Sequence, residues 1–437
     1  MIRWIALAAF WIAGLGPAAA AIEVQEVTSP GGIKAWLVEE HSIPFTALEI
    51  RFRGGSALDE AGKRGATYLM TATLEEGAAD MDARAFAERV ESLAASFRFN
   101  VYDDVLAISA RFLTENSDQA VDLLKSAIMQ PRFDQDAIDR VRGQIQAVLL
   151  SETTNPRNIA GQAFNAATWG DHPYATNAKG TPESLDALTR EDLISARNRV
   201  LARDRLYVAA VGDISANELG LLLDHLLGDL PQTSVPLPPG ADYQLAPGET
   251  VIDFATPQSL ALFGHKGIKR NDPDYMAAYV VNEIFGGGGF QSRLMEEVRE
   301  KRGLTYGIGV SLLPMEFGEL VLGQVQSDNT KMAEAINLVR QEWQRIGEHG
   351  VTEAELQDAK TYLTGAYALR FDGNAPIARI MVGMQMTGLP VDYIRTRNDQ
   401  LTALTLEEVN RLAGRLYRAD QLHFFVVGQP VGLSADQ

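Results

Sequence analysis

The stretch Leu185-Asp186-Ala187-Leu188-Thr189-Arg190-Glu191 returns 216 residues later as Leu401-Thr402-Ala403-Leu404-Thr405-Leu406-Glu407. The register continues without a gap to Asp204/Asp420, Leu206/Leu422, Val211/Val427 and Gly212/Gly428. In each copy a threonine stands where a helix N-cap belongs, since its hydroxyl can accept from an amide of the first turn. A helix follows, and then a short apolar strand at 206–211 or 422–427. Two copies are too few for a solenoid. They predict two similar domains of roughly 200 residues each, within the ordinary domain range.

Between the copies, residues 231–250 carry Pro231, Pro236, Pro238, Pro239 and Pro247 and read as a linker. The domains are accordingly placed at 22–230 and 251–437. Each half mixes periods. Residues 33–38, 46–52 and 105–113 alternate or run apolar as strands do, and Leu106, Ile108, Ala110 and Phe112 share one face. Phe86, Val90, Leu93 and Phe97 fall at helical spacing behind Asp82 as a cap. Ile138, Val141, Ile145 and Leu149 form another helical stripe. The expected class is α+β: two homologous α/β sandwiches, each a mostly antiparallel sheet covered by helices.

Composition narrows function. The 437 residues are 46% hydrophobic and 22% charged, which suits a large packed core. With 39 basic against 57 acidic residues the net charge is −18, which repels a phosphate backbone and excludes nucleic acid as the main partner. The absence of cysteine excludes disulfides, thiolate nucleophiles, iron–sulfur clusters and Cys-ligated zinc. The six histidines are His41, His172, His225, His265, His349 and His423, and no two lie within four residues. No local metal motif can be built from them. His172 reads as a loop-former, His225 as an ordinary helix position before the linker, and His423 as part of the repeat's strand. There is no G-x-S-x-G elbow, and Gly286–Gly289 is a helix-to-loop break with no Gly-Lys-Ser/Thr after it.

Residues 1–21 read as a secretory signal: Arg3, an apolar run from Trp4 to Leu15, then Pro17 and a string of alanines. That run is short of the ~20 residues that span a bilayer. The expectation is a periplasmic protein, stable without disulfides and free of membrane spans.

Several motifs resemble one family in order along the chain. They are Gly54-Gly55-Ser56 through Asp59, Gly62, Gly65 and Ala66; His172-Pro173-Tyr174 with Lys179-Gly180-Thr181-Pro182; Val211-Gly212-Asp213; and Gly286 to Tyr306, with Ser292-Arg293-Leu294 and Val298-Arg299-Glu300 inside it. The chain resembles the pitrilysin-type zinc peptidases, the inverzincins that include insulin-degrading enzyme and mitochondrial processing peptidase. The family's metal site is an H-x-x-E-H helix: two histidines at i and i+4, and a glutamate between them as general base. A distant glutamate completes the ligands. Here those positions fall on Tyr68, Thr71 and Ala72, with Glu152 as the distant carboxylate. Tyrosine is a weak ligand at neutral pH, threonine is no general base, and alanine has no donor atom. The resemblance implies no metal on this chain.

It also implies that Arg299 and Tyr306, seven residues apart, bind substrate and stabilise the oxyanion beside a zinc. The residues alone allow a blander reading. Arg299 complements the C-terminus of a helix ended by Gly303, and Tyr306 shares parity with Leu304, Ile308 and Val310 as a core strand residue. A chain that keeps the Arg/Tyr half and lacks the metal half needs a partner. The resemblance therefore implies the non-catalytic, substrate-binding subunit of a periplasmic heterodimeric zinc endopeptidase, whose zinc and H-x-x-E-H helix belong to a homologous subunit. The alternative is a metal-free, peptide-binding or scaffolding homodimer on the same fold.

Overall fold

The computed structural model describes residues 22–433; residues 1–21, expected from the sequence to be a secretory signal, lie outside them. The first domain holds strands β1 (Gln25–Thr28), β2 (Lys34–Glu39), β3 (Phe45–Arg53), β4 (Gly77–Ala78), β5 (Met81–Asp82), β6 (Ser96–Val101), β7 (Val105–Leu113) and β8 (Leu206–Gly212). The second holds β9 (Gly248–Asp253), β10 (Gln258–Lys266), β11 (Ile308–Pro314), β12 (Glu319–Asp328) and β13 (His423–Gly428). The first sheet runs β1-β2-β8-β3-β7-β6 and the second β11-β12-β10-β13-β9, with β4 and β5 forming a separate ribbon.

The repeat extends to the whole topology. β2 lies parallel to β8, as β9 lies parallel to β13. From there both sheets continue antiparallel, through β3, β7 and β6 or through β10, β12 and β11. Thr189 and Thr405 each close a capping box, with Asp192 and Glu408 respectively. Gly212 and Gly428 end their strands at φ of 146° and 148°. A Cβ on Gly212 would meet the carbonyl oxygen of Phe45 at 2.2 Å, so the close strand crossing demands glycine.

One expectation fails by a turn. Asp82 does cap a helix, accepting from Ala85 N at 2.8 Å, but that helix stops at Ser92. Ala94 takes a positive φ of 50°, and Phe97 belongs to β6. Phe97 matched the helical spacing because its strand buries it in the same core.

Both faces of each sheet are buried. Leu48, Ile50, Val208 and Ala210 point into the first domain's helical layer. Ala209 and Val211, on the opposite face, meet Ile377, Ala378, Met381 and Val382 of the helix Asn374–Met386, which comes from the second domain. Gln385 anchors it by donating to Val208 O at 2.7 Å. Reciprocally, the first domain's helix Pro156–Trp169 lays Ala160 and Phe164 on Leu260, Leu262, Phe425 and Val427. The two domains thus exchange a covering helix. Residues 231–247 carry no helix or strand, yet Ala241 N bonds Phe317 O and Gln244 N bonds Thr168 O, which pins the crossing to both halves. No helix among the described residues is long and apolar enough to cross a membrane.

Candidate functional site

The helix Ala66–Ala72 is positioned by the glycine-rich stretch before it. Gly55 sits at φ 42°, where a Cβ would lie 2.1 Å from Tyr102 O. Asp59, buried, reaches forward to accept from Gly65 N at 2.9 Å and from the Thr67 amide and hydroxyl at 2.8 and 2.6 Å. Burial pushes its carboxyl above the usual range against those bonds. Arg64 joins Asp103 at 2.8 Å and the carbonyls of Pro173 and Thr176 at 3.0 and 3.2 Å. His172 accepts from Tyr174 N at 3.2 Å, so it does shape its loop. Tyr174 in turn donates to Asp104 and accepts from Phe317 N at 3.0 Å, tying the loop to the second domain. These motifs are scaffolding around the helix.

On that helix the metal-motif positions hold no ligands. Thr71 is buried, and its hydroxyl is spent on Thr67 O at 2.7 Å. Ala72 is exposed and bare. Glu152 ends the helix Gln135–Glu152, facing inward with its side chain only 14% exposed. Both of its oxygens are taken: Oε1 pairs with Lys179 Nζ at 2.8 Å, and Oε2 accepts from Asn177 Nδ2 at 2.8 Å. The Lys179 ammonium also lies 5.7 Å from the centre of the Tyr68 ring, a cation–π distance. A fixed positive charge therefore occupies the carboxylate that a zinc would need, and the remaining positions offer no nitrogen. Zinc does not fit this locus. Among the described residues no group of three or more His, Asp or Glu is placed to hold a metal. Lys179 was visible in the sequence only as part of a loop motif, since nothing periodic relates it to Glu152 27 residues earlier.

The second half of the constellation lies in the other domain. The helical turn Met295–Glu300 ends in a left-handed Gly303 (φ 59°), with Gly303 N bonding Arg299 O and Leu304 N bonding Val298 O. Arg299 is thus in the last turn, and its Nη1 reaches Glu300 Oε1 at 2.5 Å. Tyr306 is not a core residue. It precedes β11, which begins at Ile308, and is 87% exposed. The parity with Ile308 and Val310 misled because the chain is not yet extended strand at Tyr306. It borders a cleft of about 460 Å³ that runs across β10, β12 and β11 and is lined also by Arg157. Arg157 stands just past the turn after Glu152, in the helix that the domains exchange. No hydrogen bond or ion pair among the described residues links Tyr306 to Glu152 or Lys179.

Two family models match, in chain order. "Insulinase (Peptidase family M16)" covers residues 35–181, and "Peptidase M16 inactive domain" covers 187–363. The chain belongs to the M16 peptidase family.

Among M16 relatives, a non-peptidase homologue, YmxG of Helicobacter pylori, is 27% identical over 94% of this chain and 95% of its own. An uncharacterised zinc protease of Mycobacterium leprae is 25% identical over 91% of this chain and 90% of its own. The crystal structure of a peptidase M16 inactive domain from Pseudomonas fluorescens aligns with a TM-score of 0.88 at 29% identity, covering 95% of this chain and all of that one. A protease from Helicobacter pylori shares the fold at TM-score 0.84 and 14% identity, over 93% of this chain and 99% of its own. This chain is a non-catalytic M16 member: its metal-motif helix has no ligand, and a lysine sits on the leftover carboxylate.

Proposed function

We propose that this chain is the substrate-binding subunit of a periplasmic, heterodimeric M16 zinc endopeptidase. The observation that carries the reading is the asymmetry between its two halves. The metal locus is closed by the Lys179–Glu152 pair, whereas Tyr306 stands exposed at the rim of an open cleft. A tyrosine exposed at a cleft rim is available to a peptide. Its hydroxyl would donate to the carbonyl under attack, and Arg299, at the end of the preceding helix, would hold the chain beside it. The zinc that carries out hydrolysis would be bound by a homologous H-x-x-E-H subunit across a shared chamber.

Reconstitution tests this. The purified chain should leave unstructured peptides uncut, and chelator-sensitive cleavage should appear when the zinc-bearing subunit is added, saturating near equal amounts. A partner already fully active alone would overturn the reading. A stable homodimer that ignores the partner would favour the scaffolding alternative.

A further inference from the structure

A second hollow, remote in sequence from the metal-motif helix, carries charge of one sign. Arg270, Arg370 and Arg397 converge on a pocket of about 230 Å³ among the second domain's helices. None of the three is in an ion pair with a carboxylate among the described residues; their partners are tyrosines, carbonyls and an amide. Arg397 forms the floor. It is 4% exposed, donates to Leu363 O at 2.9 Å, and lies 4.5 Å from the Tyr367 ring centre. Arg270 stacks 4.4 Å over Tyr275 and turns one nitrogen to the Tyr393 hydroxyl at 3.4 Å. Arg370, exposed at the mouth, reaches the Tyr279 hydroxyl at 3.5 Å. Glu283 feels Arg370, and burial raises its pKa against that pull, but among the described residues it forms no ion pair with any of the three.

Three guanidiniums gathered in one hollow repel one another, and in a chain of net charge −18 such a grouping is not an average surface. Aromatic faces offset part of that repulsion, but they leave guanidinium edges able to donate. A planar fork of N–H donors matches a carboxylate or phosphate better than any neutral group. The rest of the wall is apolar, from Met276, Ile380 and Met384. We propose that this pocket binds a small organic oxyanion, a carboxylate or phosphate attached to a flat apolar body, with the head on the arginines and the body against the tyrosine rings. Ile380 and Met384 belong to the exchanged helix Asn374–Met386, whose other face lies on the first sheet. An occupant would therefore brace the seam between the domains. The assignment does not depend on the subunit role proposed above.

Titration calorimetry on the whole mature chain, with inorganic phosphate, phenyl phosphate and benzoate as probes, tests it. One saturable site per chain is expected, with phenyl phosphate tighter than inorganic phosphate because the ring adds stacking. Comparing benzoate with phenyl phosphate separates the two head groups. Arg397 is buried, so the deciding variants are the accessible Arg270→Gln and Arg370→Gln. Each should weaken binding on the order of tenfold, the worth of one charge-assisted hydrogen bond. Arg302→Gln, whose partner Glu297 lies elsewhere, should change nothing. No saturable binding of any probe, or binding that survives both deciding variants, overturns the proposal.

Discussion

Lys179 does in this chain what a metal ion does elsewhere in its family: it neutralises the carboxylate at the end of the Gln135–Glu152 helix. A substitution series can measure that competition. Tyr68→His/Thr71→Glu/Ala72→His restores the ligand types but leaves the ammonium on Glu152. Adding Lys179→Ala should strengthen zinc binding by about 10–100-fold, the range seen when groups around a metal are changed. Competition with a coloured chelator reads this directly, and equal affinity with and without Lys179 would show that the lysine is no obstacle. Tyr306 makes the second residue-scale prediction. Because the side chain is 87% exposed, Tyr306→Phe should leave the melting temperature and assembly unchanged. If its hydroxyl donates to the oxyanion, turnover of the reconstituted complex should fall on the order of 10²–10³-fold. Wild-type turnover would return Tyr306 to the role of a surface ring.

At the scale of elements, the exchanged helices set the molecule's cooperativity. Phe164 is fully buried on a helix of the first domain, yet its ring packs 5.8 Å from Phe425 of the second. Phe164→Ala should cost about 3–5 kcal/mol, as for other buried aromatic truncations, and denaturant titration should show the loss in a single transition spanning both domains. Two separated transitions, only one of them shifted, would mean that the helix covers the second sheet without coupling it. No stripe marked this helix in the sequence, and the stripe that was legible, Ile138 to Leu149, did not show its destination either. Hydrophobic period tells which face is buried, not which sheet buries it. The same limit explains Phe97, which fits a helical spacing and a strand's inner face alike.

For the whole molecule, the buried His265 and the half-buried His172 tilt stability with pH. His265 accepts from Trp343 Nε1 at 3.1 Å on one ring nitrogen and faces Lys266 O at 2.7 Å with the other. That arrangement requires the neutral ring, and burial lowers its pKa, as it also does for His172. The unfolded chain takes up these protons near the ordinary value of about 6.5, the folded chain only below it. Stability is thus complete above that value and falls as pH drops from about 6.5 toward the lowered folded pKa values. His41 has the opposite sign: bonds to Asp213 and then Glu39 raise its pKa, so its contribution is present in acid and lost as pH rises. It is exposed and screened, so the buried His265 dominates. Calorimetric melting should therefore be lower at about pH 5 than at about pH 7.5, and His265→Gln should flatten that slope. An unchanged slope would place the acid sensitivity elsewhere.

From sequence alone came the duplication, the α+β class, the threonine caps and the vacancy of the metal motif. Each is written in local terms: a repeated register, a period of two or 3.6, or a side chain with no donor atom. The tertiary structure decided the rest. It placed Lys179 on Glu152, brought Tyr306 out of the core to a cleft rim, swapped the covering helices, and gathered three arginines from separate segments into one pocket. Those outcomes depend on which surfaces meet across long stretches of chain. Two distant side chains leave no mark of their future contact in the spacing of either segment, because only the packing of whole elements brings them together.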